Sequence, residues 1–230
     1  MFDYFPESIS TYGGGLDSVY WTIFYGVAFW FLLSEAVLFY FIFRYRRREG
    51  QKAAYAPGRT RRQMSWVLVP AGIVMVLDLW IDFAGTNAYN AFKNVPAGDH
   101  VVQVTGKQFN WEFTYPGPDG SLGTDDDLTL ENELHVPVNK KIRLILRSQD
   151  VLHSFFVPVL RLKQDIIPGR EIPAWFEATR TSESTDQGYY EIACAELCGF
   201  GHHTMRGFLY VHTDAGYNAW LQAHWPAETE

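Results

Sequence analysis

Two long stretches of this chain hold almost no polar positions. Residues Val19–Phe43 are nearly all apolar, and residues Trp66–Phe83 are little different. An amphipathic surface helix would keep a polar stripe, but residues 20–43 are apolar on every face except at Ser34 and Glu35. Each stretch approaches the roughly 20 residues that a membrane-spanning helix needs. The pattern therefore predicts an N-terminal two-helix transmembrane hairpin rather than two core helices of a soluble protein. From Asp99 the rhythm changes to short runs of period two broken by turns, which predicts an all-β sandwich or barrel. The clearest strand expected is Val101–Tyr115, where Phe109, Trp111, Phe113 and Tyr115 alternate with Asn110, Glu112 and Thr114 and share one face. A turn at Pro116–Gly120 ends it. Further strands are expected at 134–138, 142–146, 154–157, 174–178, 189–193 and 207–212, with a short helix at 217–224.

Charge orients the hairpin. The loop 44–65 carries eight Arg and Lys against Glu49 alone, and the positive-inside rule places it in the cytoplasm. Both termini then lie on the exoplasmic side. The domains expected are a loose exoplasmic arm at 1–18 with a flexible joint at Gly13–Gly15, a hairpin at 19–83, a linker at 84–98 and an exoplasmic β domain at 99–230. The first eighteen residues hold no Lys or Arg, so the basic start of a cleavable signal peptide is missing. From Ala84 onward there are 19 Asp and Glu against 11 Lys and Arg, a net −8. That surplus favours a basic partner met by salt-sensitive encounter; nucleic acid is not expected as a partner.

The chemistry gathers near the C-terminus. Cys194 and Cys198 are the only two cysteines, and Glu196, His202 and Met205 stand among and just beyond them. Thiolate, imidazole and thioether form the soft donor set that suits copper, and two thiolates in one short loop can bridge two ions. A disulfide is the alternative in an oxidising compartment, but it gives His202 and Met205 no role. Two ions need more donors than one loop holds. His153, which opens a β run after Asp150-Val151-Leu152, is the candidate from elsewhere.

These residues carry a resemblance. Ala195–His202, Asp150–Ser154 and Leu162–Arg170, together with two membrane helices followed by a β domain, resemble subunit II of haem–copper cytochrome oxidases. The resemblance implies a cupredoxin-like domain with a dinuclear CuA centre. In it Cys194 and Cys198 bridge two copper ions, and His153 and His202 cap one each. Met205 and the backbone carbonyl of Glu196 are the weak outer ligands. The Glu196 side chain is implied as a ligand of magnesium at the interface with subunit I. Phe109, Trp111 and Asp150 are implied at electron entry and docking. The partners implied are the haem-bearing subunit I, further oxidase subunits, a c-type cytochrome donor and membrane lipid. The location implied is a bacterial inner membrane or equivalent energy-transducing membrane. Oxygen reduction and proton translocation would take place in subunit I.

Glu196 separates this loop from the similar one of nitrous-oxide reductases, which carry an aromatic residue there. Copper chaperones with Cys-x3-Cys lack the nearby His and Met, and quinol-oxidising relatives lack the cysteines. Two positions depart from the family pattern. Phe109 stands where a Trp often faces the cytochrome, and Gln63 stands where a carboxylate often opens a proton path. Glu35 and Asp78 are carboxylates inside the expected spans, where such groups usually face protein or water. A membrane-tethered copper-delivery protein without an oxidase partner, and a structural subunit with a disulfide, remain the other readings.

Overall fold

A computed structural model describes residues 6–53 and 55–225. Residues 1–5, at the head of the expected arm, and 226–230, at the end of the expected β domain, lie outside the described residues. The chain divides into a helical unit, Gly15–Asn90, and a β unit made of the N-terminal residues to Gly14 together with everything from Ala91.

Helix α1 runs Gly13–Arg44 and helix α2 runs Arg61–Lys93. At 1.5 Å per residue each is about 48 Å long, more than the ~30 Å of a bilayer core. Both are longer than expected. The glycine run 13–15 is the first turn of α1 rather than a flexible joint, and most of the expected linker 84–98 is the last turns of α2. The start of α2 is capped reciprocally: Thr60 Oγ1 accepts from Gln63 N–H and Gln63 Oε1 accepts from Thr60 N–H, both at 3.3 Å, a capping box. That gives the glutamine at 63 a local role. Asp78 and Ser34 stand on the wall of an otherwise apolar groove of about 540 Å³ between the two helices, and Glu35 is half-buried on α1.

The β unit is a sandwich of two five-stranded sheets. One sheet is ordered β3 (Leu128–Glu131), β2 (Asn110–Tyr115), β1 (His100–Lys107), β5 (Lys141–Ser148), β8 (Ile172–Glu177). The other is β4 (Glu133–Pro137), β10 (Arg206–His212), β9 (Tyr190–Cys194), β6 (His153–Val157), β7 (Leu162–Ile166). Helix α3, Asp214–His224, follows β10 and is capped by the Thr213 side chain. The expected single strand 101–115 is a hairpin, β1 and β2 paired antiparallel down to Lys107↔Asn110, with Gln108 and Phe109 at its tip. Period two survives the turn because β2 alone carries Trp111, Phe113 and Tyr115 inward. Strands β3 and β7 carry polar residues at alternate positions too short in run to stand out from loop.

The core lies between the sheets. Trp111, Phe113, Phe155 and Phe176 are fully buried, and Phe155 meets Trp111 edge-on at 5.3 Å between centroids. Burying each such ring contributes a few kcal/mol, at about 25 cal/mol per Å² of apolar surface. The N-terminal arm is part of this unit, not a loose tail. Ile9 N–H donates to Val159 O, Thr179 N–H donates to Ile9 O, and Ile9 and Tyr12 are buried. Tyr12 also packs edge-on against Trp175 and Phe92, so the arm reaches from residue 6 to α1 as a bound segment.

Candidate metal centre

The loop between β9 and β10 is held at both ends by paired strands. Cys194 N–H donates to Met205 O at 3.2 Å, and Ala195 N–H donates to Ser154 O at 3.0 Å, fastening the loop to β6. A 3-10 turn at His202–Thr204 brings the chain back to Met205. His153 comes from the first position of β6, one strand away from the loop. Its ring fits because Gly106 is opposite: a side chain there would meet His153 Cδ2 at 3.2 Å, Trp111 at 3.1 Å and Ile166 at 2.7 Å. Sequence reading did not single out Gly106.

Six donor atoms converge. Cys194 Sγ stands 3.9 Å from Cys198 Sγ, 3.9 Å from His153 Nδ1 and 3.2 Å from the Glu196 carbonyl oxygen. Cys198 Sγ stands 3.7 Å from His202 Nδ1 and 3.8 Å from Met205 Sδ. Among the described residues, His153, Cys194 and Cys198 are the one buried group of His, Cys, Asp and Glu placed to share a metal, with ligand atoms within 4.8 Å of one another. The two thiols are free and sit far beyond the ~2.05 Å of a disulfide. Bonds of about 2.0–2.3 Å in tetrahedral geometry set donors roughly 3.3–3.8 Å apart, so these separations suit shared metal ions. The soft set suits copper. Each thiol has an imidazole and a weaker donor beside it. Burial, and then the neighbouring Cys194, pushes the Cys198 thiol up to about 11; metal charge would offset that cost by binding the thiolate.

A second set of contacts orients these donors. Asp150 Oδ1 accepts from His153 Nε2 at 2.8 Å, which leaves Nδ1 facing the thiol. The same carboxylate accepts from Gln108 N–H at 2.7 Å and Val151 N–H at 2.6 Å. Burial works to raise the Asp150 pKa, but these hydrogen bonds outweigh it and hold it below the usual carboxylate range. Gln108 Nε2 donates to the Cys198 carbonyl at 2.5 Å. The Phe109 ring is partly exposed, at 38 %, and lies over the loop glycines 199 and 201.

The structure thus brings His153, Cys194, the Glu196 carbonyl, Cys198, His202 and Met205 together, with Asp150 and Phe109 beside them. Trp111 is different. It is fully buried, 6.1 Å from the His153 ring, so it cannot touch a docking partner and instead backs the histidine from the core. Glu35 and Asp78 belong to the helical unit. Gln108, whose contacts join residues up to 90 positions apart, left no signal in the sequence.

A family model described as cytochrome c oxidase subunit II, periplasmic domain, matches residues 119–210. The chain is similar to an alternative cytochrome c oxidase subunit 2 of Bradyrhizobium diazoefficiens, 34% identical over 85% of this chain and 77% of that protein. It is also similar to a cytochrome c oxidase subunit 2 of Synechocystis sp., 31% identical over 87% of this chain and 69% of that protein. A crystal structure of the periplasmic domain of subunit II of a Bradyrhizobium japonicum cytochrome oxidase is 32% identical, covers 57% of this chain and 96% of that one, and superposes with a TM-score of 0.49.

Proposed function

The chain belongs to the cytochrome c oxidase subunit II family, and on that premise we propose that it is the electron-entry subunit of its oxidase. It takes electrons one at a time from a c-type cytochrome and delivers them to haem in subunit I, where oxygen is reduced to water and protons are translocated. The observation that carries this reading is the convergence of two thiols, two imidazoles, a thioether and a carbonyl within 3.2–3.9 Å of their neighbours.

Two copper ions bound there would supply a one-electron store spread over two metals. Cys194 and Cys198 would bridge the pair, His153 and His202 would cap one ion each, and Met205 and the Glu196 carbonyl would complete the outer positions. The protein's own contribution is position. The strands β6, β9 and β10 fix the donor atoms, Asp150 holds His153 in the tautomer that offers Nδ1, and buried Trp111 and Phe155 keep water from the inner side. Donors already in place need little rearrangement when charge changes. The Glu196 carboxylate, half-exposed on the loop, is suited to a hard cation such as magnesium at the contact with subunit I.

The chain is membrane-anchored through α1 and α2, two helices long and apolar enough to span. The basic loop supports a cytoplasmic position for residues 44–65, with the β unit on the periplasmic or other exoplasmic side of an energy-transducing membrane. The test is Cys198→Ser in the assembled oxidase. Oxidation of reduced c-type cytochrome should be lost while a small-molecule reductant still reduces the haem. Cytochrome oxidation at the wild-type rate would overturn the reading.

A further inference from the structure

We propose that Gln108 is a positioning residue of the copper centre, through which the β1–β2 hairpin tip holds the cysteine loop and the His153 arm in a common frame. The inference rests on the copper reading above. The two ends of Gln108 act separately. Its side-chain Nε2 donates to the Cys198 carbonyl at 2.5 Å, and its backbone N–H donates to Asp150 Oδ2 at 2.7 Å. Asp150 Oδ1 accepts from His153 Nε2 at 2.8 Å, His153 Nδ1 stands 3.9 Å from Cys194 Sγ, and that sulfur stands 3.9 Å from Cys198 Sγ. The contacts close a ring around the donor atoms.

The ring matters because the strands leave it open on this side. Strands β6 and β9 pair only at Phe155↔Cys194 and Phe156↔Ala193, and the Ala195–Ser154 bond adds one tie at the base of the loop. Beyond that point Cys198 and His153 share no ladder. Gln108 supplies the second tie, from the opposite sheet. Phe109 seats the tip by lying against Gly199 and Gly201. Gln108 itself is exposed, whereas the groups it fixes are buried, Cys198 at 4 % and His153 at 0 % exposure. Its substitution therefore removes little packing. What it removes is a donor aimed at the backbone of a bridging ligand, which frees the turn that carries Cys198 and lets the donor spacing relax.

The experiment compares wild type with Gln108→Met, of similar length and without the N–H, in the intact oxidase. Three quantities are read: copper loss to a chelator, the hyperfine pattern of the copper EPR signal, and the reduction potential of the centre. Partners of metal ligands typically matter by about 10–100-fold in metal affinity, so copper loss should quicken by that factor, with an altered hyperfine pattern and a lower potential. Thermal unfolding should stay near wild type, which a purely structural role would not predict. Gln108→Ala repeats the test if the Met variant does not assemble. Wild-type values for all three quantities beside a copper-loaded wild type would overturn this proposal alone. A wild-type complex without paired copper would overturn the functional reading and this proposal with it.

Discussion

Replacing Asp150 tests how far the surroundings of His153 set its grip on metal. The carboxylate accepts three hydrogen bonds, from Gln108 N–H, Val151 N–H and His153 Nε2. Asp150→Ala removes all three and leaves the Nε2–H of a fully buried ring without its acceptor. Asp150→Asn can keep two. With its amide oxygen at the Oδ1 position it still accepts from Val151 and His153, and its NH2 then faces the Gln108 N–H, donor against donor. The alanine variant should therefore lie near the upper end of the ~10–100-fold loss in metal affinity known for such partners, about 2.7 kcal/mol, and the asparagine variant near the lower end, about 1.4 kcal/mol. Copper affinity is read by chelator competition on the assembled oxidase, which separates this effect from any change in cytochrome docking. Wild-type affinity in the alanine variant, or weaker binding in the asparagine variant than in the alanine variant, would show that Asp150 does not govern how His153 holds metal.

Three further outcomes follow from the same structure. Gly201→Ala would put a methyl 2.5–2.6 Å from Phe109 Cδ2 and Cγ. A ring flip cannot relieve contact at Cγ, so overpacking should cost about 1–3 kcal/mol of thermal stability; failure of an added Phe109→Ala to recover part of it would count against that contact. His135, whose Nδ1 meets His212 Nε2 at 2.9 Å, is lowered to about 4 by burial first and then by His212 and His224. A depressed histidine adds stability that is present above its unfolded value of about 6.5 and is lost as pH falls toward 4. Thermal unfolding of the copper-free subunit should weaken across that window and do so less in His135→Phe; identical pH profiles would contradict this. If the acidic β unit steers a basic cytochrome, turnover at limiting cytochrome should fall steeply with added salt, and a flat response would reject steering.

The proposed donor cluster is legible in part because Cys194, Cys198, His202 and Met205 fall within twelve residues and their soft atoms suit copper, whereas the Glu196 carbonyl comes only with the resemblance. His153 needed the resemblance, since nothing local marks a lone histidine before an apolar run. The helices were legible from hydropathy, but not their ends: the caps at Thr60 and Gln63 are polar, and the glycines 13–15 read as a joint. The binding of the arm is hidden from the sequence for a different reason. Ile9 and Tyr12 are ordinary apolar residues whose partners, Val159 and Trp175, lie 150 and 163 positions away. Long-range pairing of that kind leaves no local pattern. Gln108 and Gly106 were hidden likewise, because each matters for what it meets across the sandwich. Trp111 shows the converse limit. Alternation told that one face of β2 is aromatic, but not that position 109 lies in the turn while position 111 is buried.

The proposed function turns on a copper pair bridged by Cys194 and Cys198. The most direct measurement is copper content with an EPR spectrum of the oxidised complex. One unpaired electron shared equally by two copper nuclei of spin 3/2 gives seven hyperfine lines, and one electron on a single copper gives four. Seven lines with two coppers assigned to this subunit is the result expected. Four lines with one copper, or no copper with Cys194 joined to Cys198, would exclude the bridged pair.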